Sequence, residues 1–276
     1  MRKELTKLLF SACLLGGASA SQAGLLIGGD AANQASASAI VDIVFMIDTS
    51  ASMSDDISAI GAAANRVVAN LSCPDIDCYV RARFMGITGN SGSVFNENVR
   101  SYVLGKSGTP TSDQSEDNGW GVVDLVNYFD WGTDATATQK NYHAIVTIGD
   151  EGTENGSPVN AMDFVAAKAA NEAAIAAGIF LFSWVTDDPF AGVPALFRAM
   201  AIGGDPGNGE LYGSTGGAYL EGLSGVDVEA RLEEIICFVA GGGEDPEEPG
   251  SVPIPSSLAL VGLALFGMRR SLRSRH

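Results

Sequence analysis

Three short stretches of this chain carry oxygen-bearing side chains at close spacing. Asp48, Ser50 and Ser52 alternate, Glu116 and Asp117 are adjacent, and Asp150 stands in Gly149-Asp150-Glu151-Gly152. Carboxylates and hydroxyls without cysteine or histidine are hard donors, suited to Mg²⁺, Mn²⁺ or Ca²⁺ rather than zinc. Mg²⁺ asks for octahedral oxygens at ~2.0–2.1 Å and keeps waters readily. It is the expected cofactor, with Ca²⁺ or Mn²⁺ as alternatives. Two serines two residues apart, in a turn before a helix, can both face one ion while Asp48 balances its charge. Alone the string is weak, because aspartate and serine are ordinary turn and cap residues. Its meaning depends on what surrounds it.

The surrounding elements alternate. Val41–Ile47 is a nearly unbroken apolar run, as in a strand covered on both faces of a parallel sheet. Ser54-Asp55-Asp56 opens a helix whose apolar stripe is Ile57, Ile60, Ala64, Val67, Val68 and Leu71. Tyr79–Ile87 and Val94–Leu104 read as two strands of a hairpin across the turn-rich 88–93. Gly121–Phe129 reads as a short helix and His143–Ile148 as a buried strand. Ser157-Pro158 is expected to start a long Ala-rich helix. Ile179–Val185 reads as a strand, Val193–Ala201 as a helix and 216–220 as a short last strand. Leu232, Ile235, Ile236 and Val239 form a final helical stripe. This alternation predicts an α/β fold: a doubly wound, mostly parallel sheet with helices on both faces, in one domain over 38–240. Such sheets bind ligands at the carboxyl ends of their strands, which is where Asp48 and Asp150 fall.

In this setting, Asp48-x-Ser50-x-Ser52 after a buried strand resembles the metal-ion-dependent adhesion site of von Willebrand factor A domains. Asp150 matches the family's second aspartate, and Gly216-Gly217-Ala218-Tyr219 is similar to its late glycine-paired strand. The resemblance implies a Rossmann-like sheet with one antiparallel edge strand and a divalent ion bound at the top. It also implies that the serines and a middle-loop threonine touch the metal, that the aspartates often act through water, and that a partner carboxylate completes the shell. The chain departs at the threonine. The corresponding position falls at Glu116-Asp117, with Thr109 and Thr111 further upstream, so the middle-loop ligand is one of these four. An acid there adds negative charge, favouring Ca²⁺ or lessening the demand for a partner carboxylate. Glu151 and Glu154 read as surface charges.

Residues 24–250 carry 9 basic and 32 acidic groups, a net of -23. Such a body repels nucleic-acid phosphates, so a nucleic-acid partner is excluded. At the start, Arg2, Lys3 and Lys7 precede an apolar stretch and small residues, the pattern of a secretory signal over 1–23. At the end, an acidic Gly/Pro linker over 241–251 leads to Val252-Pro253-Ile254-Pro255-Ser256, an apolar run to Met268, and Arg269-Arg270. That tail, 252–276, resembles the PEP-CTERM sorting signal of Gram-negative bacteria, with Ile254 where the family usually has Glu. The resemblance implies processing by signal peptidase and an exosortase-type enzyme, with 256–268 transiently inserted in the membrane. A plain C-terminal anchor is the alternative, and either way the body is exported to the envelope or beyond. In an oxidising compartment Cys73 and Cys78 are expected to close a small disulfide ring. Cys13 leaves with the signal, and Cys237 reads as a buried apolar residue.

The function expected is a secreted or envelope-associated binding or adhesion protein, not an enzyme. Its cation, held by Asp48, Ser50, Ser52, Glu116 or Asp117, and Asp150, would grip a carboxylate on an extracellular protein or polysaccharide. A metal-dependent hydrolase is the second reading. A matrix component with the ion as a staple is the third. The body's one histidine, His143, reads as a strand-start residue, and no nucleophile elbow, zinc motif or phosphate loop occurs.

Overall fold

The apolar run that opens the alternation becomes β2 (Ala39–Ile47), and every one of its residues is buried. Val41, Ile43, Phe45 and Ile47 enter one core, while Val44 and Met46 enter the other. A strand with two apolar faces belongs in the middle of a sheet covered on both sides, and β2 lies there. The computed structural model describes residues 25–73, 76–87, 95, 97–113, 116–132, 134–187, 189–222 and 228–243. The segment 1–23, the tail 252–276 and most of the linker 241–251 lie outside them. No helix among the described residues is long and apolar enough to cross a membrane.

β2 pairs in parallel with β3 (Cys78–Gly86) on one side and β4 (Lys140–Gly149) on the other. β5 (Phe180–Val185) and β6 (Tyr219–Glu221) continue the parallel set beyond β4. At the far edge β1 (Leu26–Gly28) joins β3 antiparallel, giving the order β1-β3-β2-β4-β5-β6. The fold is therefore one six-stranded α/β sheet, mostly parallel, with one antiparallel edge pair. Its antiparallel member starts at Leu26, before the expected domain boundary at 38. α1 (Ser54–Asn70) and α6 (Val228–Ala240) contribute to the core on one face. α2 (Val99–Gly105), α3 (Asn118–Tyr128), α4 (Ala161–Ala177) and α5 (Val193–Ile202) contribute to the core on the other. The chain leaves β2 toward β3 and leaves β4 toward β5. The crevice between their carboxyl ends is thus the point where connections diverge, the usual ligand position in open α/β sheets.

Three expectations are corrected. The hairpin does not form: β3 is a strand, but Val99–Gly105 is helix α2, and Val94 lies outside the described residues. Asn98 caps that helix by accepting the Ser101 N–H at 2.8 Å. Val99, Tyr102 and Val103 are buried at helical spacing, which outweighs the β-branched content of the stretch. The long helix begins at Ala161 rather than Ser157. Asn160 and Asp163 form its capping box, and Gly178 closes it in the left-handed conformation that suits glycine.

The third correction is the cysteine pairing. Cys73 bonds Cys237, not Cys78, across 164 residues of sequence. Cys78 is the first residue of β3, paired to Ala39, and its buried free thiol lies beside Gly29. Cys73 follows the end of α1, which packs against α6, and there meets Cys237 on the half-buried side of that helix. Ladder pairing thus fixes Cys78 in the sheet, and helix packing chooses the partner. A disulfide in place fits an oxidising compartment.

At the sheet's opposite end, Asp42 sits in register between Arg81 and His143 on the neighbouring strands. Its carboxylate takes Arg81 Nε at 2.6 Å and Nη2 at 2.9 Å, together with the Gly132 N–H at 2.9 Å. That bidentate pair pins the loop after α3 to the sheet.

Non-reducing peptide mapping should recover Cys73 linked to Cys237. Cys73→Ser and Cys237→Ser should each lower unfolding stability by about 2–5 kcal/mol, because the bridge closes a long loop. A recovered Cys73–Cys78 link would reject the pairing.

Candidate functional site

Asp48 is the first residue after β2, and its N–H donates to the Ile148 carbonyl at 2.9 Å. The backbone therefore sets the side chain in the crevice beside β4, where it is fully buried. Oδ1 accepts the Ser50 N–H at 2.7 Å, an aspartate turn that reverses the chain toward α1. Ser50 and Ser52 then stand side by side, with Oγ atoms 2.8 Å apart. Ser52 donates onward to Asp150 Oδ1 at 3.4 Å. The two hydroxyls and Asp150 form a chain of contacts, and the Ser50 side chain also bonds the Asp48 carboxylate. Each hydroxyl oxygen carries lone pairs that can face a cation.

The structure thus brings Asp48, Ser50, Ser52 and Asp150 together across two strand ends. Their oxygens fit a hard cation on one particular observation: Asp48 Oδ2 is buried and accepts no hydrogen bond. Three other buried aspartates are answered on both oxygens. Asp42 has Arg81 and Gly132, Asp124 has Thr111 and Ser112, and Asp163 has Thr153, Glu154 and Asn160. Among the described residues no three acid, cysteine or histidine side chains converge as a metal cage. The candidate ligand set is accordingly mixed, two carboxylates and two hydroxyls.

The middle-loop acids divide. Asp117 is buried, and its oxygens accept the Asp113 N–H at 2.7 Å and the Asn155 N–H at 2.8 Å, so it joins two loops. Glu116 is half-buried, turns to Glu151, and lies within electrostatic reach of Asp48 and Asp150. Thr109 and Thr111 are exposed, and the Thr111 N–H is tied to Asp124. Of the four middle-loop candidates, Glu116 is the one that faces the site.

Two neighbours escaped the sequence reading. Glu151, taken for a surface charge, is half-buried and hydrogen-bonds Glu116. A Cβ on Gly156 would collide with Oε2 of both, and Gly156 has φ +75°, so glycine is required there twice over. Asn118, fully buried at the start of α3, accepts the Thr147 hydroxyl at 2.8 Å. Its Nδ2 has no partner and lies 3.1 Å from where a Gly149 Cβ would stand, against Asp48. Adjacency to Asp150 and to Asp117 was the only sequence signal for these two.

Crowding shows in the acid strengths. Burial, then the charges of Asp150 and Glu151, holds Asp48 up at about 7 despite the bonds from Ser50. Burial and Glu151 push Glu116 to about 8. Burial lifts Asp150 above the usual carboxylate range, opposed by Ser52. Asp117 rises to about 6 through burial, against its two backbone donors.

No protein-family model matches this chain, and no curated protein matches it. Solved structures do align. Proximal thread matrix protein 1 from the mussel byssus is 11% identical at TM-score 0.40, covering 72% of this chain and 48% of that one. The pilus adhesin SpaC from Lactobacillus rhamnosus GG is 13% identical at TM-score 0.42, covering 78% and 31%. The N-terminal domain of TFIIH p34 is 10% identical at TM-score 0.33, covering 72% and 97%. This chain spans less than half the length of the first two.

The raised acids give a pH dependence of definite sign. In the unfolded chain these carboxyls ionise near 4, whereas in the fold Asp48 and Glu116 hold protons to about 7 and 8. Between those limits the unfolded state binds fewer protons, so stability falls as pH rises. With chelator present, the melting temperature should drop from pH 5 to pH 8, and Asp48→Asn should flatten that slope. A slope unchanged in the variant would remove Asp48 as its source.

Proposed function

We propose that this chain is an exported binding protein whose working part is a divalent cation at the carboxyl ends of β2 and β4. Ser50 Oγ and Ser52 Oγ are its direct ligands, Asp48 and Asp150 supply the balancing charge, and Glu116 adds to it from the middle loop. The carrying observation is the buried, unanswered Oδ2 of Asp48 beside the paired hydroxyls of Ser50 and Ser52. A buried acceptor without a donor is costly. A hard cation removes that cost together with the repulsion among the neighbouring acids.

The bound ion would supply electrostatic grip on an incoming carboxylate. Ser52 is exposed, whereas Asp48 and Ser50 are buried, so the site has an inner floor and an outer side from which a partner can approach. The residues of this chain orient the ion and exclude water from below, and the partner's acidic group completes the shell from above. On this reading the chain adheres to an extracellular protein or polysaccharide. Export through a signal over 1–23 and sorting by the tail 252–276 belong to the same proposal, and the disulfide accords with them.

Calorimetric titration of the full chain with Mg²⁺ and Ca²⁺ tests the site. The wild-type protein should bind one divalent ion. Asp48→Ala and the Ser50→Ala/Ser52→Ala pair should lose measurable binding while keeping the native circular dichroism. Binding retained in both variants would reject the site.

A further inference from the structure

We propose that Phe190 selects which carboxylate the site accepts: one flanked by an apolar side chain on a protein segment, rather than the uronate of a polysaccharide. The inference rests on the cation reading above and narrows its partner.

Phe190 lies in the loop between β5 and α5, and its N–H donates to the carbonyl of Asp150 at 3.2 Å. Its own carbonyl accepts the N–H of Val193, the first residue of α5, at 3.1 Å. Thr186 N–H bonds the Gly149 carbonyl at 3.2 Å, so the same loop is tied to the end of β4 twice. Val159 packs against the loop at Gly192. The Phe190 backbone therefore has a fixed place beside Asp150, and the residue remains 48% exposed. Among the described residues, other large exposed apolar side chains include Met162, Val165 and Leu211, and none of these has a backbone bond to a proposed site residue.

A single exposed apolar side chain needs no explanation on its own. This one adjoins a site whose remaining surroundings are acidic. A carboxylate bound to the ion brings its own substituent next to Asp150, and so next to the loop that carries Phe190. An aliphatic substituent then leaves water against Phe190, whereas a sugar ring offers mostly hydroxyls. Charge points the same way. A uronate polymer brings one negative charge per residue toward a body of net charge -23, while a protein segment can present one acid among neutral neighbours.

The test uses the full chain saturated with Mg²⁺ and three probes: acetate, 4-methylpentanoate and galacturonate, each titrated by NMR chemical shift. 4-Methylpentanoate should bind about tenfold more tightly than the other two. Phe190→Ser should remove that advantage and leave the calorimetric Mg²⁺ affinity unchanged. Equal affinities, galacturonate the tightest, or an advantage that survives in Phe190→Ser would each overturn the inference with the cation site intact. Absence of Mg²⁺ binding in the wild-type protein would instead bring down the cation reading beneath it, and calorimetry reports that separately.

Discussion

A carboxylate that cannot leave the interior and has one oxygen without a donor is the constraint on which the upper edge of this sheet depends. Asp48 has no freedom to relax. It follows a central strand buried along its whole length, and its N–H is tied to the adjacent strand. Its electrostatic neighbours, Asp150 and Glu151, carry the same charge, and Glu116 feels it in turn. What can answer the open oxygen is a proton, the unpartnered Nδ2 of Asn118 or a metal ion. The paired hydroxyls of Ser50 and Ser52 add hard oxygen donors beside it, the chemistry that suits the last of these.

The parts of the site that follow from the ends of buried strands were legible in the sequence. Continuous apolar runs announced β2 and β4, and the acid after each run had to emerge on one edge. What was illegible depended on contacts distant along the chain. Glu116 and Asp117 are chemically near-equivalent neighbours, and nothing local says that Asn155 will claim Asp117. Glu151 looked solvated because its partner Glu116 belongs to another loop. The stretch before Gly105 looked like a strand because its β-branched residues were counted before the helical spacing of Val99, Tyr102 and Val103. The cysteines were paired by proximity in sequence, whereas helix packing decides the partner.

The acidity of the body also has a structural use. Asp117, Asp124 and Asp163 are buried and accept backbone N–H groups that no strand or helix satisfies. Each holds a long loop in one conformation, and the loops so held lead to Glu116 and Glu151. Asp42 does comparable work at the far end, with Arg81 as counter-charge. Part of the negative charge is thereby taken up inside the fold, and the anionic character that remains bears on which molecules can approach.

The Cys73–Cys237 bridge encloses every element from β3 to β6, including the loops at Glu116, Asp150 and Phe190. A protease that nicks any one of those loops therefore leaves two fragments still covalently joined, with both halves of the sheet held in place. A single cut in those loops becomes an injury that the chain can survive in one piece.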